Sequence, residues 1–368
     1  MNDTHASGTT AATDALRARL DEAFPALLDE LKALVAIPSI SSDPDHRADV
    51  DASAEHLRQR FEALGMSARV LSEDAPDGTA GMPAVVARGP RVEGAPTVLL
   101  YAHHDVQPTG DVSRWSLSPF EAEVRGDRIY GRGSSDDGAG VVVHLGCMAL
   151  LGERPPVNVV VYVEGEEEIG STHLEQFCRE HLEMLRADNI IVSDTSMVSA
   201  ETPSLTTGLR GLAYWQIEVT GANHDLHSGH FGGAVANPIN ELCKLIAQVQ
   251  DADGRITIPH FYDAVVDLTD EERAMIAQIP FDEEQYKKFL DVDALFGEKG
   301  YHTLERNSCR PSFDVCGIWG GYQGEGSKTV LPSKAYAKVS CRLVANQDHH
   351  QVSQAFIDYI KSIAPKYV

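Results

Sequence analysis

The stretch Thr97-Val-Leu-Leu-Tyr-Ala-His-His-Asp105 decides the fold, because a short apolar run ends abruptly in two imidazoles and a carboxylate. Two further runs repeat the plan. Asn158-Val-Val-Val-Tyr-Val163 leads into Glu164-Gly-Glu-Glu-Glu168, and Asn189-Ile-Ile-Val192 leads into Ser193-Asp194. Helical patterns over Val141–Leu151 and Leu174–Leu185 separate them. Continuous apolar runs alternating with helices predict an α/β domain whose core sheet is mainly parallel and is flanked by helices on both faces. Such sheets hold ligands at the carboxyl ends of their strands, which is where these runs carry their polar residues.

Upstream, Leu16, Leu20, Phe24, Leu27, Leu28, Leu31 and Leu34 recur at helical spacing between Ala15 and Val35. Pro38 ends that helix, and Ser39 to Pro44 reads as a loop. A second helix is predicted over Val50–Leu64, closed by Gly65, with a strand at Ala68–Ser72. The polar residues 1–13 are expected to be a disordered leader. After Ser199 the texture changes: Thr206–Thr220 and Val330–Val344 alternate as strands, while Asn237–Val249 and Gln351–Ile363 are helical. That order predicts an inserted α+β domain. Residues 250–312 read as an irregular, acidic excursion with short helices. The expected division is a catalytic domain over 14–199 and a second domain over 200–368.

With 31 Lys+Arg against 55 Asp+Glu, the formal charge of the 368-residue chain is -24. A field of that sign argues against nucleic acid or an anionic membrane as partner. The first fifteen residues lack an apolar segment flanked by basic residues, and no stretch reaches membrane-span length. A cytoplasmic protein is the expectation. The six cysteines form no CxxC pair and read as buried thiols.

Taken singly, the polar clusters have ordinary explanations. A histidine at a strand end is commonly structural, an acidic run is commonly a solvated face, and His104 reads as a surface residue. The turn Tyr130-Gly-Arg-Gly-Ser-Ser-Asp136-Asp137-Gly138 ends in paired carboxylates before a helix, as an N-cap would. Taken together the clusters lie at the ends of neighbouring strands. Carboxylates gathered on one rim repel, and cations relieve that repulsion. A His, Asp and Glu set without thiolates suits zinc, with manganese or cobalt also compatible.

At this point the residues resemble a known family. His103-His104-Asp105-Val106-Gln107-Pro108, Tyr130-Gly-Arg-Gly133 with Asp136-Asp137, and Glu164-Gly-Glu-Glu-Glu-Ile-Gly-Ser171 are similar to the metallopeptidases that include aminoacylase and carboxypeptidase G. The dipeptidase branch with carnosinase and cytosolic nonspecific dipeptidase is the nearest in pattern. Leu209-Arg-Gly211, His227-Ser-Gly229, Gly232-Gly233, Asn237-Pro238 and Gly320–Thr329 extend the likeness over roughly Leu27 to Pro365.

The resemblance implies a zinc-exopeptidase-like fold with a lid and dimerisation domain, and a pair of divalent ions. His103, Asp136 and Asp194 would serve one ion, with Asp105 behind His103. Asp136 would bridge to a second ion held by Glu168, and the Asp136–Asp137 peptide would be cis. Glu167 would be the general base. His227, supplied across a homodimer, would donate to the oxyanion, and Thr329 and Arg342 would hold the substrate carboxylate. The implied reaction is hydrolysis of dipeptides or short peptides. N-acyl-amino-acid or carbamoyl hydrolysis, and a non-catalytic dimerising protein, are the alternatives. The family's second ion has a further histidine ligand near the C-terminus, and no matching residue precedes Val368. The C-terminal part of the catalytic domain is thus expected to be absent, with incomplete metal loading and weak activity as the corollary. His224, His230, His349 and His350 take no role.

Overall fold

The structure is a computed structural model that describes residues 3–75, 78–152, 155–199 and 202–368. The chain divides into two compact units between Ser196 and Met197, against an expected boundary at 199/200. No described helix is long and apolar enough to cross a membrane.

In the first unit, α1 (Asp3–Val35) and α2 (Arg47–Ala63) precede β1 (Ser67–Leu71), β2 (Ala84–Arg88) and β3 (Thr97–His103). A small hairpin, β4 (Glu123–Arg125) and β5 (Arg128–Tyr130), leads to α3 (Gly138–Leu151) and β6 (Asn158–Glu164). Then come α4 (Leu174–Glu180), α5 (Leu182–Leu185) and β7 (Asn189–Val192). The sheet order is β1-β2-β6-β3-β7. β3 pairs in parallel with both β6 and β7, while β2 is antiparallel to β6 and to β1. The core is therefore parallel, as expected, and β2 alone runs against the rest. Parallel neighbours need a crossover; α3 supplies it from β3 to β6, and α4 with α5 from β6 to β7.

Alternation along β6 shows why both faces close over. Val159, Val161 and Val163 pack with Leu57, Phe61, Leu100, Val141 and Leu145 under α1, α2 and α3. Val160 and Tyr162 face the other way, toward Phe177 and Leu185. The register brings Thr97 against Asn158 and His103 against Glu164, so the two strands end level.

Several expectations need correcting. α1 starts at Asp3, so the 3–13 part of the expected leader belongs to a helix that no proline interrupts before Pro25; residues 1 and 2 lie outside the described residues. β7 is not buried on both faces: as the edge strand it pairs only with β3, and Ile190 is 65% exposed. Of the six cysteines only Cys341 is buried; Cys147, Cys243 and Cys316 are exposed, because helix and strand positions near them face outward.

In the second unit, β8 (Gly211–Thr220) is followed by β9 (Leu226–His227), α6 (Ser228–Phe231) and α7 (Pro238–Ala247). The 250–312 excursion carries α8 (Asp270–Ile276), α9 (Glu283–Leu290) and α10 (Thr303–Ser308). β10 (Ser312–Gly320), β11 (Val330–Leu331), β12 (Lys334–Leu343) and α11 (His349–Ile363) complete it. β12 lies between β10 and β8, antiparallel to both. Its residues Ala335, Ala337, Val339 and Cys341 pack with Leu242 and Leu245 of α7 and Val352 and Phe356 of α11.

The excursion is pinned by Arg310, which is 2% exposed. Its Nε and Nη2 donate to Glu298 at 2.7 and 2.9 Å, and Nη1 donates to Asp267 at 2.8 Å. Removing the guanidinium would leave the buried Glu298 carboxylate with Arg255 Nη1 alone, at 3.0 Å. Arg310→Ala should lower unfolding stability by about 3 kcal/mol, the low end for a broken buried pair because Arg255 remains beside Glu298, read from denaturant midpoints; a change below about 1 kcal/mol would show that Arg255 alone suffices.

Candidate metal centre

The strand ends deliver the donors. His103 closes β3 and is fully buried. Its Nδ1 lies 3.0 Å from the Asp105 carbonyl oxygen and 3.4 Å from Asp105 Oδ1. Those acceptors take the Nδ1 proton in the neutral ring, which leaves the Nε2 lone pair for a metal. Around Nε2 stand Asp136 Oδ1 at 2.9 Å, Glu167 Oε2 at 3.9 Å and Asp194 Oδ2 at 4.0 Å. Two sets have all donor atoms within 4.8 Å of one another: His103 with Glu167 and Asp194, and His103 with Asp136 and Glu168. Four carboxylates thus surround one imidazole.

Each donor has a local reason for its place. The turn before α3 needs Gly133 at φ +78°, and a Cβ there would fall 2.5 Å from Val106 Cγ1. Asp137 is the N-cap of α3, accepting from Gly140 N–H at 3.2 Å, and it also accepts from His103 N–H at 3.2 Å. The Asp136–Asp137 peptide is cis. Asp136, the other member of the pair, stays two-thirds exposed, with 67% of its side chain open. After β6 the chain makes a single 3-10 turn, Glu167–Ile169. Its first two N–H groups donate to Asp105 Oδ1 and Oδ2, each at 3.1 Å.

The charges respond as crowding requires. Burial opposes a charge on His103, but the Asp105, Asp137 and Asp136 carboxylates outweigh it and hold its pKa up to about 10. Burial raises Glu167, with Asp194, Glu168 and Asp105 adding to the effect. Glu168 and Asp194 are likewise raised by burial, and Asp136 pushes both further. Burial pushes Asp137 up to about 7. A divalent cation would relieve all of these strains together, and the nitrogen and oxygen donors fit one.

Not every acidic residue of the run joins the site. Glu164 is buried and accepts from Tyr101 Oη at 2.7 Å. Glu166 is buried against His173, accepting from its backbone N–H at 2.6 Å and lying 2.9 Å from Nδ1. The run is therefore not a solvated face. His104 is no surface residue either: it is buried, with Nε2 donating to the Pro83 carbonyl at 2.9 Å and its backbone N–H held by the Glu164 carbonyl at 2.8 Å.

Two supporting side chains carry no sequence signal of their own. Ser41 Oγ donates to Asp105 Oδ2 at 2.6 Å, and Gln107 Nε2 donates to Glu168 Oε2 at 2.8 Å. In the second unit, His227 and Thr329 meet, with Nε2 and Oγ1 3.2 Å apart. Arg342 lies on β12 opposite Ser312 and Leu212. Burial and the nearby Arg342 charge hold the Arg210 guanidinium below its ordinary value.

With this geometry in hand, the comparisons with known proteins are direct. Residues 207–368 match the model of a peptidase dimerisation domain. The chain is 33% identical to the Cys-Gly metallodipeptidase DUG1 of Candida albicans over 93% of its length and 74% of the relative's. It is 30% identical to the human Beta-Ala-His dipeptidase, covering 91% of this chain and 69% of that one. Among solved structures, an M20 family metallo-carboxypeptidase from Sulfolobus solfataricus superposes with a TM-score of 0.79 at 34% identity, covering 91% of this chain and 75% of that one. The di-peptidase Dug1p of Saccharomyces cerevisiae gives 0.80 at 27% identity, over 96% and 77%.

Zinc should raise the thermal midpoint of the chain, a gain of about 2.7 kcal/mol when the free ion is at 100 times its Kd. Asp136→Ala should remove most of that gain. Because the Glu167, Glu168 and Asp194 carboxyls are raised, protons compete with the ion, and the gain should shrink as pH falls into the acid range. A midpoint indifferent to zinc, or equally responsive in Asp136→Ala, would remove the site.

Proposed function

We propose, on the premise that this chain belongs to the M20 metallopeptidase family, that it hydrolyses the peptide bond of dipeptides or short peptides. The observation that carries the reading is the packing of four carboxylates around the His103 Nε2. In this reading His103, Asp136, Glu168 and Asp194 hold two divalent ions, zinc being the best match to the donor set. When bound, such ions supply an acidified water and a positive charge beside the scissile carbonyl.

The chain's own residues do the rest. Asp105 keeps the His103 ring oriented from behind. Glu167 stands beside His103 and Asp194, its Oε2 3.9 Å from the His103 Nε2, and in this reading acts as the base. It would accept a proton from the attacking water and return it to the leaving amine. His227, supplied across the homodimer, would donate from Nε2 to the developing oxyanion. Thr329 and the Arg342 guanidinium bind the substrate's carboxylate.

The match to a peptidase dimerisation domain supports a homodimer formed through the second unit. The six free thiols support a cytoplasmic, reducing setting. The relatives' printed substrates favour dipeptides over N-acyl amino acids.

Glu167→Gln should lower kcat on dipeptides by about 10²–10⁴-fold while metal content by elemental analysis stays that of the parent. A panel of dipeptides against N-acetyl amino acids should show turnover on the former only. Unimpaired Glu167→Gln, or preferential cleavage of the N-acetyl series, would overturn the assignment.

A further inference from the structure

We propose that Gly229 is a positioning residue that fixes the His227 imidazole as its neutral Nε2–H tautomer. The inference builds on His227 as the oxyanion donor, but its geometry lies wholly within the second unit. His227 ends β9 and pairs with Val330 of β11. The Ser228 N–H donates to the Thr329 carbonyl at 3.1 Å. One residue on, the Gly229 N–H donates to His227 Nδ1 at 2.9 Å.

A peptide N–H can only donate. Nδ1 must therefore present its lone pair, and the single ring proton sits on Nε2. That nitrogen faces Thr329 Oγ1 at 3.2 Å, so the hydroxyl accepts from Nε2–H. His230 flanks the ring, its centroid 4.9 Å away. The outcome is an uncharged donor aimed by the backbone.

Only glycine leaves room for this. A Cβ at position 229 would lie 2.7 Å from His227 Cε1 and 3.0 Å from Nδ1. The ring rests on the Gly229 backbone itself, so a side chain would push it off the amide. Gly229 is not among the glycines with positive φ, so steric space and not backbone freedom is what the position demands. An ordinary helix cap would not need this: a serine or asparagine at 227 caps as well without lying over residue 229.

The test is the protonation pattern of the ring in the full chain with isotope-labelled nitrogen. Wild type should show Nε2–H together with a coupling across the Gly229 N–H···Nδ1 bond. In Gly229→Ala that coupling should vanish and the ring should become a mixture of tautomers, with circular dichroism unchanged. Dipeptide kcat should then fall by about 10²-fold, the scale of one lost oxyanion donor, with KM little altered. A wild-type ring protonated on Nδ1, or an unaltered tautomer in Gly229→Ala, overturns the inference. Should Gly229→Ala not fold, the wild-type coupling alone decides, its absence counting against. A lost tautomer with undiminished hydrolysis supports the role of Gly229 and removes His227 from the chemistry instead.

Discussion

The carboxylate of Asp105 is where three separate pieces of chain are fastened together. It is wholly buried, so every lone pair must be answered from within the protein. Oδ2 takes the Ser41 hydroxyl and the Glu168 N–H, Oδ1 takes the Glu167 N–H, and the His103 ring lies beside it. Burial works against ionisation, but the bonds from His103 and Ser41 prevail and keep this acid below its ordinary pKa. A fixed negative charge in this spot orients the imidazole from one side and the turn carrying Glu167 and Glu168 from the other. The proposed base and two of the proposed ligands therefore share one anchor.

The donors were legible because their signal is local. An apolar run followed at once by His103, by Glu164–Glu168 or by Asp194 announces both a buried strand and the chemistry at its end. Their convergence also follows from parallel pairing. What stayed hidden depends on partners distant in sequence. Ser41 is one more serine in a loop until the fold brings Asp105 to it. Glu166 and His173 meet only once the turn at Gly170 folds them together. His104 looks free beside His103 because nothing local shows that Pro83 will meet its far nitrogen. β10 was missed for a different reason: its alternation breaks at the irregularity between Val315 and Gly317. The family resemblance named Asp136 as a ligand, and the cap on α3 made by Asp137 explains how two adjacent aspartates divide their work.

The proposed reaction assigns unlike tasks to the two units. The first concentrates negative charge and would hold cations. The second would contribute donors, the His227 imidazole and the Arg342 guanidinium, suited to anionic parts of a substrate. Its long excursion is no loose loop, since Arg310 is clasped by Glu298 and lies over the rings of Tyr301 and Tyr262. Buried ionic contacts of this kind keep an acidic, irregular segment in one arrangement.

The level ending of β3 and β6 also bears on how such a sequence can drift. His103 and Glu164 are register partners, and successive side chains in each strand point to opposite faces. Losing one residue inside Thr97–His103 would turn the imidazole to the other face, or exchange the apolar residues before it between two differently packed faces. Insertions in the connections that follow disturb no such phase. Over evolutionary time, length variation should therefore gather in the loops, while the strands that carry the proposed ligands can change residues but not their number.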